Sequence, residues 1–70
     1  MPIIEVNLLE GRPPEAKERL IHAMTEAVIQ SIGVPRESVR IILREMPPAH
    51  FAVGGQSVVA KDTENMKNER

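Results

Sequence analysis

The chain has 70 residues, of which 41% are hydrophobic, and its nine basic and ten acidic residues give a formal net charge of -1. A domain of this size hides only about 60% of the surface that its unfolded chain exposes, and the sequence has no cysteine with which to add disulfides. This composition disfavours a stable monomer, and the balanced charge with a single aromatic residue excludes a basic or base-stacking surface for nucleic acid. We therefore expect a homo-oligomer with no nucleic-acid partner.

The sequence carries no recognisable membrane or secretion signal. Its N-terminus lacks a basic region followed by an apolar stretch of about 7 to 15 residues, and no run approaches the roughly 18 apolar residues that span a bilayer. We expect a soluble, cytoplasmic protein with no membrane partner.

The first predicted element is a strand from Ile3 to Leu9. Within it Ile4, Val6 and Leu8 alternate with polar side chains, which is the period of a half-buried strand. The dipeptide Glu10-Gly11 ends the pattern.

The second predicted element is a helix from about Pro14 to Ile32. Proline is tolerated at the first helical position because that position needs no N–H donor. Gly33 ends the helix and Pro35 prevents its continuation. The predicted apolar stripe consists of Leu20, Ile21, Met24, Ala27, Val28 and Ile32, with Lys17, His22, Glu26 and Ile29 at its edges or outside it.

A second strand is predicted from Val39 to Met46. Its odd-numbered residues Val39, Ile41 and Leu43 share one face, and Arg40, Ile42 and Arg44 share the other. A strand, a helix and a strand in this order suggest a right-handed parallel crossover. The fold class is therefore α+β, built on a β-α-β unit.

The C-terminal third is predicted to be less regular. Pro47-Pro48 stops the second strand, Ala49 to Gly55 reads as a loop with a tight turn or hairpin at Gly54-Gly55, and Gln56 to Ala60 is a candidate edge strand. We expect one domain over residues 1–60 with a short C-terminal hairpin, followed by a polar, mobile tail over residues 61–70.

Two strands and one helix leave a sheet edge unpaired, and two strands are rarely stable alone. Edge-to-edge pairing of the sheets of several copies would solve both problems. A closed symmetric assembly would also bring together residues from different chains.

Conventional catalytic motifs are absent from the sequence. There is no Gly-rich phosphate loop, no Gly-x-Ser-x-Gly and no cysteine, and the only imidazoles are His22 and His50. We expect His22 to be a solvated surface residue and His50 to have a structural role, and we expect no metal site.

The amino terminus offers a different kind of base. If Met1 is removed, Pro2 carries a free secondary amine in place of an amide, and we expect that removal in the cell. A free α-amino group has a pKa of about 7.7 to 8.0 and a prolyl amine a somewhat higher one. Burial and nearby guanidinium groups both lower such a pKa, which would leave Pro2 neutral and able to act as a base.

Several segments together resemble one enzyme family. They are Pro2, the strand IIEVNLLEGR, the segment SVRIILREM, and the pair HF followed by Gly54 and Gly55. In this order they resemble the 4-oxalocrotonate tautomerase (2-hydroxymuconate tautomerase) family over about residues 2–60. The resemblance implies the tautomerase fold and a homo-oligomer, commonly a hexamer, in which arginines reach the site from a neighbouring subunit.

The resemblance also implies an activity and its residues. The free N-terminal proline of that family is a general base, and it acts with two arginines and a phenylalanine; the matching residues here are Pro2, Arg12, Arg40 and Phe51. The catalytic residues are thus expected to be Pro2, Arg12 and Arg40. Arg12, Arg40 and Phe51 are expected to bind substrate, with Leu9 and Val53 as further apolar neighbours.

By the same resemblance the substrate is a small dicarboxylate or 2-oxo acid, namely 2-hydroxymuconate, which is ketonised to 2-oxo-3-hexenedioate in the catabolism of aromatic compounds. No cofactor is needed. A hydratase or dehalogenase of the superfamily needs a further carboxylate to activate water, where this chain has Ala52 and Val53. The alternative is a non-catalytic oligomeric binding module of the same fold with a blocked proline.

Overall fold

The computed structural model describes residues 1–59 and contains the predicted β-α-β unit. The first strand and the helix have the predicted bounds, which confirms both predictions. The elements in chain order are strand β1 (Ile3–Leu9), helix α1 (Pro14–Ile32), a 3-10 turn (Arg36–Ser38), strand β2 (Arg40–Met46), a second 3-10 turn (Pro48–His50), and strands β3 (Ala52–Val53) and β4 (Gln56–Ser57).

Strands β1 and β2 form a parallel sheet. Their register runs from Ile3 opposite Arg40 to Leu9 opposite Met46. The pairing extends beyond the strands at both ends, because the N–H of Arg40 donates to the Pro2 carbonyl at 3.0 Å and the N–H of Glu10 donates to the Met46 carbonyl at 2.9 Å. The amino-terminal proline is therefore fixed to the start of β2.

Helix α1 begins and ends as its prolines and glycine predict. Pro13 precedes it in an extended conformation and Pro14 occupies its first turn. Gly33 ends it in the left-handed conformation, with φ at 70°, and donates its N–H to the Ile29 carbonyl at 3.0 Å. This conformation carries a steric penalty for residues with a Cβ, so a glycine suits the position.

The half-buried face of α1 differs in part from the predicted stripe. Leu20, Ile21, Met24 and Val28 are half-buried as predicted, but Ala27 and Ile32 are exposed and Ile29 is half-buried instead. The 3.6-residue period identifies the apolar stripe of the helix, but it does not show how far the sheet that covers this stripe extends. Near the other end of the helix, Nζ of Lys17 donates to Oε1 of Glu45 at 3.0 Å, which joins the helix to the carboxyl end of β2.

The second strand starts one residue later than predicted. Val39 is extended, but it donates its N–H to the Arg36 carbonyl at 3.2 Å and so caps the 3-10 turn before the strand. The predicted alternation holds, since Ile41 and Leu43 are half-buried and Ile42 and Arg44 are exposed.

The predicted hairpin forms around Gly54 and Gly55. Both glycines have positive φ, at 62° and 88°, and this combination matches the turns that fit the twist of a two-stranded hairpin. The edge strand predicted over residues 56–60 is wrong beyond Ser57, because Val58 and Val59 are helical. The paired residues of the hairpin are Ala52–Val53 and Gln56–Ser57, and one further hydrogen bond, from the Val58 N–H to the Phe51 carbonyl at 2.8 Å, follows them. Ala60 and the predicted tail, residues 61–70, lie outside the described residues.

Burial within one copy is shallow. No residue among 1–59 is buried, and large apolar side chains such as Ile3, Ile42 and Phe51 are exposed. Ile4, Val6 and Leu8 lie on the half-buried face of the β1–β2 sheet. We call the opposite face of this sheet the outer face. The outer face consists of Ile3, Glu5, Asn7 and Leu9 from β1 and Arg40, Ile42, Arg44 and Met46 from β2.

Among the described helices none is long and apolar enough to cross a membrane.

Because one copy buries so little, we expect the free energy of unfolding to depend on protomer concentration. Contacts between copies stabilise only the folded state, so each tenfold increase in concentration should add about 1.4 kcal/mol for a two-copy unit. Urea unfolding followed by circular dichroism at several concentrations measures this. Identical midpoints at all concentrations would show that a single copy is stable by itself.

Candidate active site

The amino end of the sheet carries two of the predicted site residues. Pro2 is half-buried, and its carbonyl accepts the backbone N–H of Arg40 at 3.0 Å. The Arg40 side chain is exposed, and its Nη1 donates to the Glu37 carbonyl at 2.6 Å, which uses one of the five N–H donors of a guanidinium group. We call this pair, Pro2 and Arg40, the proline end.

The carboxyl end of β1 carries three others. Gly11, with φ at 126°, turns the chain after the strand, and Nη1 of Arg12 reaches back to the Leu9 carbonyl at 3.3 Å. Phe51 follows the second 3-10 turn and is 44% exposed. We call Leu9, Arg12 and Phe51 the phenylalanine end.

A shallow apolar pocket lies at the phenylalanine end. It encloses about 130 Å³ and is lined by Asn7, Leu8, Leu9, Met46 and Phe51. Leu9 and Phe51 were predicted there from the family resemblance. Val53, which was predicted with them, lies on β3, is 54% exposed and does not line this pocket.

Sequence reasoning missed Asn7, Leu8 and Met46 as lining residues. The two-residue period of β1 places Asn7 on the same face as Leu9, and that signal was readable from the sequence. Met46 lies opposite Leu9 only because of the register of β1 on β2. Register is a non-local property, so no local pattern in β2 could have identified Met46.

The proline end and the phenylalanine end are far apart within one copy. Strand β1 separates them, and its seven residues at about 3.3 Å each span roughly 20 Å. A small substrate bound at one end therefore cannot contact the other end of the same copy. A site that contains Pro2 together with Arg12 and Phe51 requires at least two copies of the chain.

The chemistry of Pro2 depends on Met1. While Met1 is attached, the Pro2 nitrogen belongs to an amide and has no basic lone pair. Met1 is 70% exposed, so a processing enzyme has access to it. Removal of Met1 turns the nitrogen into a secondary amine that is able to accept and return a proton.

The two histidines lie outside this pocket. His22 is exposed on α1 near Glu26, whose carboxylate pairs with the Arg36 guanidinium. That hydrogen bond from Arg36 is the main cause that lowers the pKa of Glu26; desolvation opposes it, and the charges of Arg36 and His22 lower the pKa further. His50 is exposed in the 3-10 turn before Phe51. Residues 1–59 contain no cluster of three metal-ligating side chains.

Known proteins resemble this chain over most of its length. A 2-hydroxymuconate tautomerase of Stutzerimonas stutzeri is 48% identical over 60 residues, which cover 86% of this chain and 95% of that protein. A probable tautomerase of Ralstonia nicotianae is 53% identical over 55 residues, which cover 79% of each chain.

Solved structures agree with these relatives in fold. A 4-oxalocrotonate tautomerase isozyme of Methylibium petroleiphilum superposes with a TM-score of 0.87 at 41% identity, covering 90% of this chain and 98% of that one. A heterohexamer 4-oxalocrotonate tautomerase of Chloroflexus aurantiacus superposes with a TM-score of 0.80 at 39% identity, and the superposition covers 84% of this chain and 95% of that one. These neighbours confirm the expected tautomerase fold.

The family model described as tautomerase enzyme matches residues 2–61, a range that holds both the proline end and the phenylalanine end. The relatives confirm the expectation of an isomerase. The fold, the relatives and this match together show that the chain belongs to the tautomerase family.

Proposed function

We propose that the mature protein ketonises 2-hydroxymuconate to 2-oxo-3-hexenedioate, with Pro2 as the base that carries the proton. The observation that supports this most is the arrangement of the sheet, with Pro2 and Arg40 at one end and Arg12 beside the Phe51 pocket at the other. The relative from Stutzerimonas stutzeri, named a 2-hydroxymuconate tautomerase, supports the choice of substrate.

Each residue has a task that its chemistry suits. Pro2, once free of Met1, takes the proton from the substrate hydroxyl group and returns it to a distal carbon, so that one group acts first as base and then as acid. Arg40 binds the carboxylate and oxygen at the oxo end of the substrate. Arg12 binds the far carboxylate and draws electron density towards the carbon that receives the proton.

The apolar residues of the phenylalanine end support this charge chemistry. Phe51 and Leu9, with Val53 nearby on β3, would exclude water once a second copy covers the pocket. A drier site strengthens the interaction of guanidinium groups with the substrate, and it disfavours the protonated form of Pro2. The exposure of Phe51 in a single copy fits a residue that is covered on assembly.

The separation of the two ends supports the proposed assembly. If two copies pair antiparallel along the free edge of β1, the proline end of one meets the phenylalanine end of the other, and the two-fold axis creates two equal sites. We propose such pairs within a homohexamer. A cytoplasmic location is part of the same proposal, since a catabolic enzyme for a soluble dicarboxylate acts where its substrate is formed.

We expect activity to require the removal of Met1. Preparations that differ in the fraction of chains lacking Met1, measured by intact mass, should show 2-hydroxymuconate ketonisation in proportion to that fraction. Pro2→Ala should mainly lower kcat, by about 10²-fold or more, because it replaces the ring-held secondary amine by a freely rotating primary amine and so loses the positioning of the base. Undiminished activity in fully methionine-blocked protein would refute the amine mechanism, whereas no activity in protein that lacks Met1 would favour the non-catalytic binding module.

We also expect that two inactive variants restore each other. Pro2→Ala and Arg12→Ala should each lose most activity alone, as should Arg40→Ala, whereas Arg19→Ala on the exposed side of α1 serves as the matched arginine control and should keep parental activity. In co-refolded Pro2→Ala and Arg12→Ala chains, half of the sites in each mixed pair combine an intact Pro2 with an intact Arg12. Random mixing should therefore restore roughly a quarter of the parental rate.

The absorbance of the substrate dienol, followed over time, measures the rate of ketonisation by the single variants and by the mixture. If mixing restores no activity although mixed assemblies form, as judged by native mass spectrometry, Pro2 and Arg12 act within one copy and the shared site is wrong.

A further inference from the structure

Lys17 and Glu45 form an ion pair that joins the start of α1 to the carboxyl end of β2. Nζ of Lys17 lies 3.0 Å from Oε1 of Glu45, and the two side chains are 25% and 32% exposed. Glu45 precedes Met46, whose carbonyl accepts the N–H of Glu10 at 2.9 Å. The end of β2 therefore holds both the beginning of the loop between β1 and α1, residues 10–13, and the helix that follows this loop.

Arg12 lies in this loop, and its own side-chain contact holds it weakly. The side chain is exposed, and its Nη1 donates a long hydrogen bond, of 3.3 Å, to the Leu9 carbonyl. Gly11 precedes it with φ at 126°, and a glycine leaves the backbone on that side free to take several conformations. The position of Arg12 therefore depends mainly on the chain that follows it.

The chain after Arg12 is stiff. The ring of Pro13 fixes its φ, which is -67°, and a residue that precedes a proline is confined to extended conformations. The Pro13 carbonyl accepts the backbone N–H groups of Ala16 at 3.1 Å and Lys17 at 3.3 Å. A displacement of the helix start is therefore passed through Pro13 to Arg12.

We propose that the Lys17–Glu45 pair positions Arg12 for the far carboxylate of the substrate, and that it thereby sets the preference for a dicarboxylate over a monocarboxylate. This inference rests on the proposed function, in which Arg12 binds that carboxylate. Exposed ion pairs contribute little to stability, whereas a displacement of about 1 Å in a binding group is able to lower a rate by as much as 10²-fold. Lys17 and Glu45 are thus positioning residues, which act through Arg12.

Two substrates separate this role from a general one. The first is 2-hydroxymuconate, and the second is the same dienol with hydrogen in place of its far carboxylate. Lys17→Met and Glu45→Gln should each lower kcat/KM for 2-hydroxymuconate by about fivefold or more, because Arg12 is less often in position. Both variants should change kcat/KM for the monocarboxylate dienol by less than about twofold, since that substrate offers Arg12 no carboxylate.

Three further variants complete the design. Lys17→Met added to Arg12→Ala should cause no further loss on 2-hydroxymuconate, because effects that pass through one group are not additive. The exchange Lys17→Glu/Glu45→Lys keeps an ion pair and should recover most of the parental kcat/KM. Glu26→Gln, which removes the charge from the Arg36–Glu26 pair farther along α1, is the matched control and should leave kcat/KM for both dienols at the parental value.

Urea unfolding and sedimentation show whether the variants fold and assemble like the parent. The proposal is overturned if Lys17→Met keeps parental kcat/KM on 2-hydroxymuconate, if both dienols lose equally, or if the variants unfold or fail to assemble. A further loss on adding Lys17→Met to Arg12→Ala would overturn it as well. A parental protein that ketonises neither dienol, or full activity of Arg12→Ala on 2-hydroxymuconate, would instead refute the proposed function.

Discussion

Among residues 1–59 of a single copy, no side chain is hidden from water, and this lack of an interior constrains the rest of the molecule. A two-stranded sheet covered on one face by a helix leaves an open edge and an open outer face, and neither disulfides nor a metal cluster is available to the described residues to compensate. We therefore expect contacts between copies to supply the missing burial. The same contacts would build the proposed site, which no single copy contains.

Strand β1 determines how that site is divided. It is long enough to hold Pro2 and Arg12 about 20 Å apart, and its ends differ in chemistry: a backbone-fixed proline beside an arginine at one end, an apolar pocket beside an arginine at the other. The proposed proton transfer on a dicarboxylate uses all of these groups at once. In the proposed assembly a second copy supplies the second arginine and a drier environment together, which links the fold of this tautomerase-family chain to its proposed reaction.

The sequence predicted those parts of the molecule that depend on local chemistry. The alternation in Ile3–Leu9 and the prolines and glycine around Pro14–Ile32 determined the bounds of β1 and α1 without help from the rest of the chain. Long-range geometry determined what was missed. The exposure of Ile32 depends on where the sheet ends, and the β3–β4 pairing, which ends at Ser57, depends on two segments of the chain at once.

The candidate site shows the same division. Pro2 was identified by amine chemistry, and Arg12, Arg40 and Phe51 by family resemblance, whereas the lining residue Met46 follows only from strand register. The separation of the two ends follows from strand length and makes a shared site necessary for the proposed mechanism. No local pattern states which copy supplies which end, because that is a property of the assembly.

The central claim is that Pro2 of one copy meets Phe51 of another, and the chain has a single phenylalanine with which to test it. Copies labelled at phenylalanine and copies labelled at proline are mixed after removal of Met1, and isotope-filtered NMR then detects only contacts between differently labelled copies. The account predicts nuclear Overhauser effects between the Phe51 ring and the Pro2 ring across copies. Their absence in an assembly that is mixed and active would contradict it.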